Sequence, residues 1–320
     1  MAERPRVVSP LERMLHLKRV PLLAGLANPE VALLADACGE RFFPKGAPVF
    51  REGEPVGAVH FVVSGGLGTS RRGVRTGSVG PGGSVGGLAL LARDPLGEQV
   101  VADEDTLTLE LEADAVLEVL EDRFPILQHI LRETSRRAIE LLSRHRLDPT
   151  VGSPDGPAQE GEPGDIDLVD RIFFLRGMAV FRRSSITALA ELARAIAQVR
   201  FEPGTTLWRE GEPAPGIFLI RSGHLRASAA NGVRFRPGPG FALGALEALA
   251  ELPRWYEVVT ETPVVALQGH MGALVDVFED HFEMALDYLA VVAQSTLRVL
   301  DWSAARDWSA ARDEPPSPPA

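Results

Sequence analysis

The chain has 320 residues, of which 45% are hydrophobic and 24% charged, and a net charge of −11. That is the balance of a soluble globular protein with room for two ordinary domains, and its negative field disfavours nucleic acid and anionic lipid. Cys38 is the one cysteine, no apolar run approaches the roughly 18–20 residues of a membrane span, and the N-terminus lacks a signal peptide's apolar core, so a cytoplasmic protein is expected.

Ser9-Pro10-Leu11-Glu12 reads as a helix start, with serine at the N-cap, proline in the first turn and an acid behind it. A second helix is predicted around 29–39, with Val31, Leu34, Ala35 and Cys38 on one face, which makes Cys38 a small core residue. From Phe42 the period shortens to about two, and glycine and proline interrupt it every few residues. Val49-Phe50, Ala58–Val63, Leu67–Ser70, Val74, Val100-Val101 and Leu107–Leu111 read as short strands of a sandwich or barrel. Helical spacing returns at 113–121 and again from Pro125 to about Arg146. Residues 148–166 are rich in Gly, Pro, Asp and Glu and read as a flexible linker.

The same plan then repeats. Phe43–Leu67 and Phe201–Leu225 share ten of 25 residues without a gap, including Arg-Glu-Gly-Glu-Pro at 51–55 and 209–213. The offset of 158 persists outside that window: Gly80-Pro81-Gly82 falls on Gly238-Pro239-Gly240, Gly86 on Gly244, Pro95 on Pro253 and Phe124 on Phe282. The chain is a duplicated domain. Its end carries Asp-Trp-Ser-Ala-Ala-Arg twice, at 301–306 and 307–312.

Phe-x-x-Gly followed by Glu-Gly-Glu, inside a glycine-punctuated β-roll closed by helices, resembles the cyclic nucleotide-binding domain of catabolite-activator regulators and cAMP-dependent kinase regulatory subunits. The resemblance covers about 17–146 and 175–300. It implies an α+β chain of two tandem jelly-roll-like β-rolls, each flanked by N- and C-terminal helices. The domains implied are 1–147 and 167–300, with the linker at 148–166 and a disordered tail at 301–320.

In that family a cassette of the form Phe-Gly-Glu-Leu-Ala-Leu precedes Pro-Arg by nine to ten residues. Amides at a short helix N-terminus cradle the cyclic phosphate, the arginine pairs with it, and the glutamate accepts from the ribose 2′-OH. The first cassette here keeps Gly86, Leu88 and Ala89, but Gly87 replaces the glutamate and Leu96 the arginine. The second keeps Gly244, Leu246 and Arg254, while Ala245 replaces the glutamate. A charge-assisted hydrogen bond is worth about 1.5–3 kcal/mol, so losing both side chains removes two to four decades of affinity. Glu98 adds repulsion for a phosphate. The first site is therefore expected to be inactive. The second is a candidate for weak cAMP or cGMP binding through Arg254, with Trp255 stacking on the base. The competing expectation is that Arg254 pairs with Glu247 or Glu257 and that Trp255 belongs to the core.

Gly80–Gly87 lacks the Gly-Lys-Ser/Thr ending of a P-loop, and the seven histidines have no metal-ligand spacing. No catalytic constellation is present, so a non-enzymatic regulatory or scaffold protein with a protein partner is expected, without cofactor or metal. The alternative is a true cAMP or cGMP sensor controlling a partner. A catabolite-activator-type transcription regulator fits less well, because only 20 residues follow Leu300, too few for a helix-turn-helix module. Arg182-Arg183-Ser184-Ser185 resembles a kinase substrate, but Ser184 or Ser185 as the N-cap of the helix that begins there is the expected reading. Phe282, Ala285, Leu286, Leu289, Val292, Ala293, Thr296 and Leu300 form an a/d-like stripe, which either faces a homodimer partner through the C-terminal helices or covers its own β-roll, the first being expected.

Overall fold

The computed structural model describes residues 8–71, 73–94, 97–149 and 164–313, with side chains to residue 302. The first copy opens with α1 (Pro10–Leu17) and α2 (Asn28–Ala37). Ser9 caps α1 in a capping box with Glu12, as its sequence requires. The strands that follow are β1 (Gly39–Phe43), β2 (Pro48–Phe50), β3 (Ala58–Ser64), β4 (Leu67–Arg71), β5 (Val74–Val79) and β6 (Ser84–Val85). Helix α3 (Gly87–Leu91) leads to β7 (Gln99–Ala102), β8 (Thr106–Glu112), α4 (Ala113–Asp122) and α5 (Phe124–His145).

The second copy keeps the offset element by element. It comprises α6 (Leu168–Gly177), α7 (Ile186–Ala195), β9 (Ala197–Phe201), β10 (Thr206–Trp208), β11 (Gly216–Ser222), β12 (Leu225–Ser228), β13 (Arg234–Phe235) and β14 (Ala242–Leu243). It closes with α8 (Ala245–Ala250), β15 (Glu257–Thr260), β16 (Val264–His270), α9 (Met271–Asp280) and α10 (Phe282–Asp313).

Each copy is a pair of four-stranded antiparallel sheets, ordered β1-β8-β3-β6 and β2-β7-β4-β5 in the first, β9-β16-β11-β14 and β10-β15-β12-β13 in the second. Alternation along the strands sends one face of each sheet inward. In the first roll Val62, Leu67, Val85, Val100 and Ala102 meet there. The second roll has a more aromatic core, with Trp208, Phe235 and Tyr256 among eleven buried residues. Cys38 is buried, and desolvation pushes its thiol up to about 12, so it is inert packing as expected.

The contacts divide the chain at points inside the long helices. One compact unit ends at Ile126 and regains the chain from Leu297 onward; the other is Leu127–Thr296. Two expectations change. Helix α10 continues to Asp313, where a disordered tail was expected to begin at 301. The hexapeptide repeat contains no glycine or proline, so nothing in it stops a helix before Pro315. The a/d-like stripe is also already covered: Ala285, Leu286, Leu289, Val292, Ala293 and Thr296 are buried within the single chain. That stripe closes a core of this chain and is not left for a second one. Residues 150–163 of the linker lie outside the described residues.

Candidate functional site

The two cassettes occupy the same place in their rolls. Gly86 and Gly244 are the N-caps of α3 and α8, with φ of 86° and 77°, a conformation only glycine adopts without strain. A side chain at either position would also collide: a Cβ on Gly86 meets the Ala58 carbonyl and the Phe50 ring, and one on Gly244 meets the Arg254 guanidinium. This is why the cassette glycine survives in both copies although their glutamates do not.

Arg254 is 3% exposed. The Arg-Glu-Gly-Glu-Pro turn positions it, because the Gly211 N–H donates to the Arg254 carbonyl at 2.8 Å and the Arg254 N–H to the Glu212 carbonyl at 2.9 Å. Its guanidinium donates to the carbonyls of Gly244 (Nη1, 2.8 Å) and Gly216 (Nη2, 2.7 Å) and lies over the Trp208 ring, 4.2 Å from its centroid. The counter-charge is Glu247 on α8, 2% exposed, with its carboxylate 3.9 Å from Nη1. Of the two acids considered from the sequence, it is Glu247 and not Glu257 that faces Arg254. Burial drives the Glu247 carboxyl up and the Arg254 guanidinium down, while each opposes the other's shift. Tyr256 and Trp255 lie near the Glu247 carboxylate and, with Arg254, pull its pKa back down. Trp255 therefore serves the buried acid and packs on the second core, edge-on to Tyr256.

In the first copy the Gly86 N–H donates to Glu98 Oε1 at 3.1 Å. In the second, Tyr256 stands at the equivalent position, fully buried and close to the Gly244 amide. Residues 98 and 256 are the same position at the offset of 158. The same position thus faces the cassette glycine in each copy, with a carboxylate that bonds its amide in one and a phenol in the other. Burial raises the Glu98 carboxyl, and Arg71 draws it back down. Arg71 itself bridges Asp94 (2.5 Å) and Asp301 (2.7 Å) with little exposure, so the start of the repeated hexapeptide is held against the first cassette. Asp301→Asn is expected to weaken that bridge by about 1–2 kcal/mol, measurable as a lower midpoint in thermal unfolding.

Gly87, Leu88 and Ala89 form the body of α3, with Ala89 buried, and Ala245 and Leu246 that of α8, with Ala245 buried. None of them points a polar side chain anywhere. Leu96 lies outside the described residues. Sequence reasoning missed Tyr256, Trp208 and Arg71; a polar residue at 98 and 256 in both copies was the available signal for the first. Ser185 is the N-cap of α7, its hydroxyl accepting from the Ala188 N–H at 3.1 Å, and Ser184 is buried, so Arg-Arg-Ser-Ser is a helix start here. Among the described residues no cluster of His, Cys, Asp and Glu is arranged to hold a metal, and no helix is long and apolar enough to cross a membrane.

A model of the cyclic nucleotide-binding domain matches residues 40–123 and 198–281, more than half of the chain, and the chain belongs to that family. Acetyltransferase Pat of Mycolicibacterium smegmatis is 30% identical over 127 residues, which is 38% of this chain and 38% of that one. The chain thus spans well under half of that relative. Among solved structures, the regulatory domain of Toxoplasma gondii PKA with cAMP matches 88% of this chain and 94% of its own at 18% identity and a TM-score of 0.34. The regulatory subunit of a cAMP-independent protein kinase A from Trypanosoma brucei matches 97% and 95% at 17% identity and a TM-score of 0.34.

Proposed function

We propose that this chain is a non-enzymatic regulatory or scaffold protein whose two cassettes are closed by its own side chains, so that it acts on a protein partner without a cyclic nucleotide. The observation that carries this reading is the placement of Arg254, the one phosphate-pairing residue the sequence retains. It is buried, tied to two carbonyls, stacked on Trp208 and faced by Glu247. A phosphate would have to displace Glu247 from a site where burial already makes charge expensive. The first cassette supports the same reading from the other side, since the Glu98 carboxyl already occupies its glycine amide.

Titration calorimetry of the full chain with cAMP and with cGMP tests it. No heat is expected up to millimolar ligand, and no rise in the unfolding midpoint, which a ligand at 100 times its Kd would produce by about 2.7 kcal/mol of added stability. Micromolar binding of either nucleotide would favour the sensor reading, for which family membership and the retained Arg254 speak.

A further inference from the structure

With the α10 stripe covered, the large apolar side chains that are more than half exposed lie on the N-terminal helices, Ile186 at the start of α7 among them, while Phe42 on β1 and Leu117 on α4 are exposed to a lesser degree. On α6, Val169 is 57% and Phe173 70% exposed; on α1, Leu11 is 66% and Leu15 54% exposed. These are the same two positions in the two copies, one helical turn apart on one face. Single exposed apolar residues are ordinary on a soluble protein, but a pair kept at matching positions on both helices forms a face.

The charges around that face have an order. Asp170, Phe173 and Arg176 follow one another at steps of three, as do Glu12, Leu15 and Lys18. An acid, an exposed apolar residue and a base in that spacing are self-complementary when two such helices lie antiparallel. A two-fold axis through Phe173 sets Asp170 of each helix beside Arg176 of the other, the isologous arrangement of a symmetric dimer. On α1 the flanking charges are committed elsewhere: Glu12 accepts from the Ser9 N–H at 2.8 Å, and Lys18 bonds the Asn28 side chain. On α6, Asp170 is exposed, Arg176 is half-buried and gives one donor, Nη1, to the Arg182 carbonyl at 3.3 Å, and Phe173 is the largest exposed apolar side chain of either helix.

We propose that the α6 face docks antiparallel on α6 of a second copy of this chain, with Phe173 at its centre and Asp170–Arg176 pairs at its ends. A face of two to three turns buries only a few hundred Å², well below the roughly 1,200 Å² of a stable interface, so association is weak, with Kd on the order of 0.1 mM.

Sedimentation equilibrium of the full chain, at loadings from about 1 to 500 µM, reads this directly. The wild type is expected to pass from monomer to dimer over that range. Phe173→Glu is expected to weaken association at least tenfold with an unchanged melting curve, and Phe173→Ser repeats the test should the charge disturb folding. Asp170→Arg is expected to weaken it, and Asp170→Arg combined with Arg176→Asp to restore it, which a loss of apolar surface alone would not do. A wild type that stays monomeric throughout overturns the proposal. So does a dimer that survives Phe173→Glu, or one abolished by Leu15→Glu instead, which would place the interface on α1.

Discussion

Arg254→Ala is expected to destabilise the second roll by about 3–5 kcal/mol in the absence of any ligand, a range that breaking a buried ion pair from one side commonly gives. Four contacts are lost together: two hydrogen bonds to the Gly244 and Gly216 carbonyls, the stack on Trp208, and the counter-charge of Glu247. The last dominates, because Glu247 is 2% exposed and would be left buried without its counter-charge. A solvent-facing arginine waiting for a phosphate would behave otherwise, since its truncation costs well under 1 kcal/mol without ligand. Denaturation followed by tryptophan fluorescence suits the test, because Trp208 and Trp255 flank the cluster. Pairing Arg254→Met with Glu247→Gln should recover much of the loss, since no unpaired charge then remains. A midpoint for Arg254→Ala close to that of the wild type would undo the account of a self-closed cassette.

How the sequence foreshadowed this cluster depends on the kind of interaction involved. The duplication and its offset are written in glycines and in Arg-Glu-Gly-Glu-Pro, where a turn with positive φ and a backbone pairing leave little choice of residue. Those positions returned as the same strands and helices in both copies. Glu247 was visible as one of two acids near Arg254, but choosing it over Glu257 required knowing that residue 247 lies on the inner side of α8. The pairing of Glu98 with Tyr256 beside the two cassette glycines was hidden more deeply, because a carboxylate and a phenol share no residue class. The α10 stripe was read correctly as apolar, yet a periodic stripe does not say whose atoms cover it. Its burial within one chain is a tertiary fact. The run past residue 300 was missed because six-residue duplications invite a reading as slippage, whereas their composition is ordinary for a helix.

Acidification from pH 7 to about 4 is expected to remove about 3 kcal/mol from the first roll through one residue, His60. Its ring is 3% exposed, lies between Phe43 and Phe50, and bonds the Thr108 hydroxyl at 3.1 Å. Burial, helped by Arg41, holds its pKa down at about 4, against an ordinary value of 6.5. Glu110 lies 3.7 Å from Nε2 but is partly exposed, and its pull is smaller than the cost of desolvating an imidazolium. The unfolded chain therefore binds this proton first. The stabilisation is fully present above about pH 6.5 and is lost as pH falls towards 4, at about 1.4 kcal/mol per unit. The second copy offers the control, since Phe218 stands at the equivalent position. His60→Phe should flatten the profile between pH 6.5 and 4 at little cost near pH 7, where Thr108 still has the Arg41 carbonyl to donate to. Glu98, raised by burial, titrates in the opposite sense, but it is present in both proteins and cancels in the difference. Far-UV circular dichroism is the appropriate probe, because no tryptophan lies among the strands of the first roll. Parallel pH profiles for the two proteins would mean that His60 takes up its proton without disturbing the roll, with Glu110 supplying the compensation that the geometry assigns to neither Thr108 nor the flanking rings.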